Sequence, residues 1–289
     1  MYFGTPAAAV PPLSALVAAG FDVALVVSRA DRRRGRRAEP TPSPVKAAAL
    51  ELGIPVSTEI NDALEVSADC GIVVAYGRLI SEDVLRELPM LNVHFSLLPR
   101  WRGAAPVERA LLEGDSETGV GIMALDVTLD TGALYAEERT PITDTETAVE
   151  LRKRLVDLGS RLLVDTLQRG LRDPKPQAGE STYAAKIHRE DLKVDFNFAA
   201  THIDHLVRVG GAWTTFRGKL LKIHAISSAS VDVPRQKAGQ VQVHEGRVLV
   251  GTATEMVELL IVQPEGKPRI YAAAWVNGAR LTNNDRLGQ

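Results

Sequence analysis

The chain has 289 residues, of which 45% are hydrophobic and 24% are charged, and its formal net charge is −2. This length allows two ordinary domains or one large one, and the composition is that of a soluble globular protein. No segment approaches the roughly 18 unbroken apolar residues that a membrane span needs, and the opening "MYFGTPAAAV" lacks the features of a secretory signal. A single cysteine, Cys70, excludes an internal disulfide and fits a reducing cytosol, so we expect a cytoplasmic protein without a membrane partner.

The first 170 residues alternate apolar runs with helical patterns. Strand-like runs cover 21–28, 71–77 and 91–96, and Ser43, as the N-cap, begins one of the helices between them. A long helix is predicted by apolar residues that recur at spacings of three and four, namely Ala148, Leu151, Leu155, Leu158 and Leu162. Strands and helices in alternation imply a Rossmann-like α/β domain with a mainly parallel sheet, in which ligands bind at the carboxyl ends of the strands.

The composition changes near Leu171. Residues 173–192 are rich in Pro, Gly and polar residues and are predicted to be a linker. Farther on, 238–252 alternate valine with polar residues around a Glu-Gly turn, which predicts a β-hairpin. We therefore predict an α/β domain over 1–172, a linker over 173–192, and an OB-like β-barrel domain over 193–289.

Two polar residues interrupt an apolar strand in "LNVHFSLLPR". Asn92 and His94 are two apart on this strand, so their side chains point to the same face. Asp130 follows in "LDTG", and a loop carboxylate that reaches the imidazole could orient its ring. The asparagine amide is a donor suited to a developing oxyanion. These three groups supply what acyl transfer to an amine requires, with no obvious covalent nucleophile and no zinc-like cluster.

Structural explanations compete with this hypothesis. Asn-x-His on a strand is more often a hydrogen-bonded structural pair, and Asp130 could equally form a turn. Trp101 and Trp213 could stack on bases, but buried packing is the simpler explanation for each. His202 and His205 lack the further ligands that a metal site needs. Spacing alone does not choose between these alternatives.

Two longer segments carry a resemblance to a known family. "NVHFSLLPRWRGAAPVERALLEGD" (92–115), followed by "GVGIMALDVTLDTG" (119–132), strongly resembles the methionyl-tRNA formyltransferase family. Shorter similar segments run from "FGTP" at Phe3 to the terminal "DRLG". The resemblance implies that Asn92, His94 and Asp130 are catalytic. It also implies that the folate donor is contacted by Ser96, Leu97, Leu98 and Pro99.

The resemblance further implies the substrates. The donor is expected to be 10-formyltetrahydrofolate, and the acceptor the α-amino group of methionine on initiator tRNA. That amine would attack the formyl carbon directly, with Asn92 and protonated His94 stabilising the oxyanion and Asp130 holding the imidazole. Residues 1–172 would be the formyltransferase catalytic domain and 193–289 the tRNA-binding domain. We expect a monomer and no metal.

A basic segment lies near the N-terminus. "RADRRRGRR" (29–37) holds six Arg and one Asp, and composition alone leaves a solvated loop and a nucleic-acid contact equally open. In the family, the corresponding loop enters the acceptor arm of tRNA. Gly35-Arg36 matches that loop, whereas Arg33 and Arg34 replace a usual Pro-Ala. We therefore expect the tRNA to be contacted by Arg33, Arg34, Arg36 and Arg37.

The sequence departs from the family in three places. Only Met1 and Tyr2 precede "FGTP", so we expect either a start codon farther upstream or a shortened first strand. The segment that leads into Asn-x-His, "LPMLNVH", is also shorter than usual in the family. The loop 207–213 is shortened as well, and this change could alter how the second domain docks.

Three other classes of protein are weighed against the main hypothesis. A folate-dependent sugar N-formyltransferase would share the fold, the donor and the catalytic set, but usually lacks the Arg-rich loop. A glycinamide ribonucleotide formyltransferase would end near the length of the first domain. A non-catalytic RNA-binding protein on this fold would leave Asn92, His94 and Asp130 free to vary, yet all three are present.

Overall fold

The structure is a computed structural model that describes residues 1–33, 39–229, 233–283 and 285–289. The chain forms two compact units. The first comprises Met1–Val107, Glu117–Pro141 and Glu150–Ala185, and the second comprises Glu108–Ser116, Ile142–Val149 and Lys186–Gln289. Within the described ranges, no helix is both long and apolar enough to cross a membrane.

The helix predicted to begin at Ser43 and the long helix predicted from Ala148 are both present. The described residues form seven α-helices: α1 (Val10–Ala18), α2 (Pro44–Glu51), α3 (Glu82–Glu87), α4 (Pro106–Leu112), α5 (Ala148–Arg169), α6 (Ala200–Val209) and α7 (Ala272–Ala279). In α2, the Ser43 hydroxyl caps the first turn by accepting a hydrogen bond of 3.0 Å from the Lys46 N–H. In α5, the predicted apolar face is buried at Ala148, Leu151, Leu155 and Leu158.

The first unit contains a mainly parallel sheet, as predicted. Its described strands are β1 (Tyr2–Gly4), β2 (Val26–Val27), β3 (Arg32–Arg33), β4 (Pro40–Thr41), β5 (Val56–Ser57), β6 (Gly71–Val74), β7 (Met90–His94), β8 (Arg102–Gly103), β9 (Glu117–Ala124), β10 (Leu134–Pro141) and β11 (Tyr183–Ala184). Seven of them form one sheet in the order β10-β9-β7-β6-β1-β2-β5. All neighbours in this sheet are parallel except β9 with β7 and β10 with β9.

The strand order places a switch point at the centre of this sheet. From β1 the chain proceeds to β2 and β5 on one side and then returns to β6 on the other side. Crevices outside the carboxyl ends of strands at such a point are where ligands bind in α/β sheets. The strand run predicted over 21–28 was too long, because only Val26–Val27 pair. Val26 and Val27 pair with β1 on one side and with β5 on the other, and both of these partner strands are short.

Part of the predicted linker belongs to the first unit. The Lys175 N–H donates to the Leu134 carbonyl and the Leu134 N–H donates to the Lys175 carbonyl, at 2.9 and 2.8 Å. Tyr183–Ala184 pair in parallel with Arg102–Gly103. The first unit extends through Ala185. The domain limits 1–172, 173–192 and 193–289 stay predictions.

The second unit is an antiparallel, barrel-like domain. Its described strands are β12 (Trp213–Phe216), β13 (Lys219–Ser228), β14 (Val241–His244), β15 (Arg247–Gly251), β16 (Met256–Pro264) and β17 (Ile270–Tyr271), and the predicted hairpin is β14–β15. The order is β12-β13-β16-β15-β14, with β17 against β16. The C-terminal residues connect the two edge strands, because Leu287 bridges Phe216 in β12 and Arg286 bridges Gln240, which precedes β14. The predicted fold class is confirmed in both units.

Candidate active site

A cavity of about 490 Å³ opens at the carboxyl ends of β6 and β7. Asn92 and His94 lie on β7 and both line this cavity, as their spacing along a strand predicts. The loop after β6 contributes Tyr76, Gly77 and Arg78. Much of the remaining lining is apolar, including Leu79, Ile80, Leu85, Leu125 and Leu129. An apolar cleft with a few convergent polar groups is typical of small-molecule sites.

Asp130 reaches the cavity from the loop between β9 and β10. Its backbone has φ +52°, in the left-handed region that Asp tolerates better than most residues. The residue is 7% exposed, and its carboxylate accepts from the Gly103 N–H at 2.8 Å and from the Asn92 amide at 3.4 Å. Its Oδ2 lies 3.8 Å from Nδ1 of His94. The structure thus brings the three predicted catalytic side chains together.

The His94 ring is buried and is held by a hydrogen bond at Nε2. The residue is 5% exposed, and Nε2 lies 2.9 Å from the carbonyl oxygen of Trp101. Since a carbonyl can only accept, Nε2 carries a proton and donates it to Trp101. Nδ1 is consequently the ring nitrogen that faces Asp130. The Nδ1–Oδ2 distance of 3.8 Å is too long for a hydrogen bond.

The turn after β7 is tightly packed. The Ser96 hydroxyl donates to the Arg100 carbonyl at 2.6 Å, and Ser96 and Leu98 are buried. The Leu98–Pro99 peptide bond is cis. In the described part of the chain, Phe95 lines the cavity but Ser96, Leu97, Leu98 and Pro99 do not. Their predicted contact with the donor stays a prediction.

The start of the Arg-rich loop lies near the same cavity. Arg33 is exposed in β3 and pairs with Pro40 of β4. Arg29 Nη2 donates to the carbonyl of Gly77, which lines the cavity. The other predicted tRNA contacts, Arg34, Arg36 and Arg37, lie outside the described residues.

The structure also describes the tryptophans, the cysteine and the possible metal ligands considered from the sequence. Trp101 is buried, in agreement with a packing role, and the Arg100 guanidinium lies 4.5 Å from the centre of its ring. Trp213 is half-buried, with Arg189 at 4.7 Å from its ring. Burial raises the pKa of the Cys70 thiol, as expected for a packed rather than a reactive cysteine. In the described ranges, no three His, Cys, Asp or Glu side chains are grouped as a metal site requires.

Several residues that hold the site were not predicted from the sequence. The Trp101 carbonyl and the Gly103 N–H act through the main chain, which residue types do not reveal. Gln177 Nε2 donates to the carbonyls of Asp130 and Gly132, both at 2.9 Å. Gln177 lies in a segment whose composition is typical of a linker, and no motif marks it.

Comparison with known proteins assigns the chain to a family. Residues 2–167 match the formyl transferase family, and residues 186–280 match the formyl transferase C-terminal domain. The class of protein that the fold defines is therefore a two-domain formyl transferase.

Two relatives narrow this class. The chain is 43% identical over 296 residues to the methionyl-tRNA formyltransferase of Leifsonia xyli subsp. xyli, covering 96% of this chain and 97% of the relative. It is 41% identical over 305 residues to that of Clavibacter sepedonicus, covering 100% and 99%. The chain belongs to the methionyl-tRNA formyltransferase family, and the predicted formyl-transferring enzyme is confirmed.

Solved structures show the same fold. An N-formyltransferase from Helicobacter canadensis, in complex with folinic acid and dTDP-3-aminofucose, has a TM-score of 0.70 at 18% identity. The match covers 91% of this chain and 98% of that chain. HypX from Aquifex aeolicus has a TM-score of 0.64 at 17% identity, covering 96% of this chain and 47% of that one. At these identities the likeness shows the fold alone.

Proposed function

We propose that the cavity at the ends of β6 and β7 is where a formyl group passes from 10-formyltetrahydrofolate to the α-amino group of methionyl initiator tRNA. The observation that carries this proposal is the convergence of Asn92, His94 and Asp130 at one largely apolar cavity of about 490 Å³. That volume lies in the range of small-molecule sites, and apolar walls suit the flat ring system of a folate.

The chemistry is direct transfer between two bound substrates. An α-amine has a pKa of about 7.7–8.0, so a useful fraction is neutral near pH 7. Its nitrogen attacks the formyl carbon, a new C–N bond forms, and the carbonyl electron pair moves onto oxygen. The tetrahedral intermediate collapses by breaking its bond to N10 of the folate. The attacking nitrogen loses one proton, N10 gains one, and tetrahydrofolate leaves.

The three polar side chains have separate tasks in this scheme. The Asn92 amide, on the cavity wall, donates to the developing oxyanion. His94 keeps Nε2 on the Trp101 carbonyl, so the proton at Nδ1 is the one available to the oxyanion and then to N10. Asp130 faces Nδ1 at 3.8 Å and balances the charge of the protonated ring. The gap between them leaves Nδ1 open to a substrate atom.

The turn Ser96–Pro99 supports the donor in this proposal. Because Ser96 and Leu98 are buried and Phe95 lines the cavity, the turn fixes the wall against which the folate packs. Any direct contact between this turn and the folate is made by main-chain atoms or by residues at the edge of the turn.

The Arg-rich loop is proposed to hold the tRNA by its phosphates. Arg33 is exposed, and Arg29 connects the base of the loop to the cavity wall at Gly77. Guanidinium groups at this place would hold the acceptor end where its aminoacyl group enters the cavity. We further infer that the enzyme acts as a monomer in the cytoplasm.

Substrate competition tests the proposed function. Purified protein is incubated with 10-formyltetrahydrofolate and either methionyl initiator tRNA or an amino-sugar nucleotide, and the formylated product of each is quantified. We expect formylation of the aminoacyl-tRNA alone. Formylation of the amino sugar with an unreacted tRNA would overturn the proposal in favour of a sugar N-formyltransferase.

A further inference from the structure

We propose that Gln177 is a positioning residue for formyl transfer, and that it acts by fixing the loop that carries Asp130. This inference rests on the proposed role of Asp130. Gln177 is not among the described residues that line the cavity, so it acts through other groups rather than on the substrates.

The amide nitrogen of Gln177 holds the Asp130 loop by its main chain. Nε2 donates to the carbonyls of Asp130 and Gly132, each at 2.9 Å. Asp130 has φ +52°, a conformation that an L-residue keeps only when its surroundings specify it. On its other side the loop lies against β9, since a Cβ at Gly132 would come 1.9 Å from the Ala124 carbonyl oxygen. The loop is therefore clamped between β9 and one side chain.

The amide oxygen of Gln177 binds Arg102, which precedes Gly103 on β8. Oε1 accepts from Nε and Nη2 of Arg102, at 3.1 and 2.6 Å. The next residue, Gly103, donates its N–H to Oδ2 of Asp130 at 2.8 Å. Gln177 thus joins the main chain of Asp130 to the strand that donates to its carboxylate. Because the amide nitrogen and the amide oxygen are both hydrogen-bonded, only one orientation of the Gln177 amide satisfies all of these partners.

The segment that carries Gln177 is itself fixed at both ends. Lys175 exchanges two backbone hydrogen bonds with Leu134. Thr182 accepts at its carbonyl from the Arg102 N–H and at its hydroxyl from the Trp101 N–H, both at 2.9 Å. Since the Trp101 carbonyl holds Nε2 of His94, this one segment supports both members of the His94–Asp130 pair. Gln177 is the part of it that contacts the Asp130 loop directly.

Three variants separate the amide donor from the rest of the side chain. Gln177→Met keeps the volume and removes every hydrogen bond, whereas Gln177→Glu keeps the acceptor for Arg102 and sets a carboxylate against the two carbonyls. Gln168→Met is the control, because Gln168 is an exposed glutamine in α5 of the same unit. Steady-state kinetics with each substrate, and thermal unfolding followed by circular dichroism, are measured for all three.

The proposal predicts a loss in kcat without a matching change in KM. Because a displacement of about 1 Å at a site can cost up to roughly a hundredfold in rate, we expect kcat to fall about tenfold or more in both Gln177 variants. KM for donor and tRNA should stay within about threefold, and the control should match wild type. Near-wild-type kcat in Gln177→Glu would overturn the proposal, since Arg102 pairing alone would then suffice. If Gln177→Met fails to fold, the Glu variant decides.

A double-mutant cycle tests whether Gln177 acts through Asp130. In an Asp130→Asn background, Gln177→Met should lower the rate by less than about twofold further, because the group it positions has already been changed. A full second loss would show a separate structural effect and overturn the inference. If Asp130→Asn itself keeps the wild-type rate, the proposed function of Asp130 fails, and a slow Gln177 variant would then act by another route. If Asp130→Asn is slow and the Gln177 variants are not, the positioning role alone fails.

Discussion

The backbone N–H of Gly103 donates a hydrogen bond of 2.8 Å to Oδ2 of Asp130, and the same oxygen lies 3.8 Å from Nδ1 of His94. The carboxylate is therefore held by the main chain whether or not the imidazole carries a second proton. A Cβ at Gly103 would come 2.7 Å from Cε2 of Tyr183 and 2.9 Å from the Ala184 carbonyl oxygen. With φ +117°, this position also lies in backbone space that favours glycine.

Gly103→Ala should therefore damage both activity and stability. The added methyl group must move Tyr183 or the β8–β11 pair, and with it the N–H that holds Asp130. We expect the rate to fall about tenfold or more and the free energy of unfolding to drop by about 1–3 kcal/mol. Urea unfolding and single-turnover formylation measure the two effects. Gly278→Ala in α7 is the control, because nothing lies within 4 Å of its added Cβ; a Gly103 variant as active and stable as this control would contradict the argument.

The sequence predicted the three proposed catalytic residues but not the groups that hold them in place. The two-residue period of a strand sets Asn92 and His94 on one face, and the Leu-Asp-Thr-Gly motif marks Asp130 through resemblance. Gln177 could not be predicted, because its role depends on where the chain returns after α5, and its neighbours have the composition of a linker. The run 21–28 was over-extended for a related reason: strand length is set by pairing with β1 and β5, which local propensity does not register.

His205 should make the second unit sensitive to acid. Burial, and to a lesser degree the nearby Arg208, lower the pKa of the His205 imidazole, while Asp204 partly opposes this. The unfolded chain, with an ordinary histidine pKa near 6.5, then binds the proton more readily. The stability contributed by neutral His205 is present above pH 6.5 and is lost as the pH falls through the folded-state pKa.

Urea unfolding at pH 7.5 and pH 5.5, followed by tryptophan fluorescence, checks this effect. Wild type should lose more stability between the two values than His205→Gln, which has no proton to gain. An equal loss in both proteins would show that His205 does not contribute to the acid sensitivity.

The Arg-rich loop should set the salt dependence of tRNA binding. Each phosphate neutralised by an arginine releases counterions, and one contact contributes roughly one unit or less to the slope of log affinity against log salt. Changing Arg33, Arg34, Arg36 and Arg37 to Ala should weaken binding and flatten that slope, whereas donor affinity should hardly change. Arg36 should matter most for turnover, because its Gly-Arg context matches the family loop.

A charge-matched control separates local contacts from net charge. Lys153, Arg161, Arg169 and Arg172 are exposed in the same unit, and their fourfold Ala variant carries the same change in charge. Titrations of tRNA at several salt concentrations compare the two variants with wild type. If both variants lowered affinity and slope equally, the Arg-rich loop would have no specific part in RNA binding.

The most direct test of formyl transfer by the His94–Asp130 pair is the single-turnover rate of Asp130→Asn with saturating 10-formyltetrahydrofolate and methionyl-tRNA. Asp157→Asn is the matched control, since Asp157 is an exposed aspartate of α5 in the same unit and is not among the described residues that line the cavity. We predict a rate on the order of a hundredfold lower for Asp130→Asn, with donor binding within about threefold of wild type and Asp157→Asn unaffected. An Asp130→Asn enzyme that transfers the formyl group as fast as the Asp157→Asn control would show that the pair does not perform the transfer.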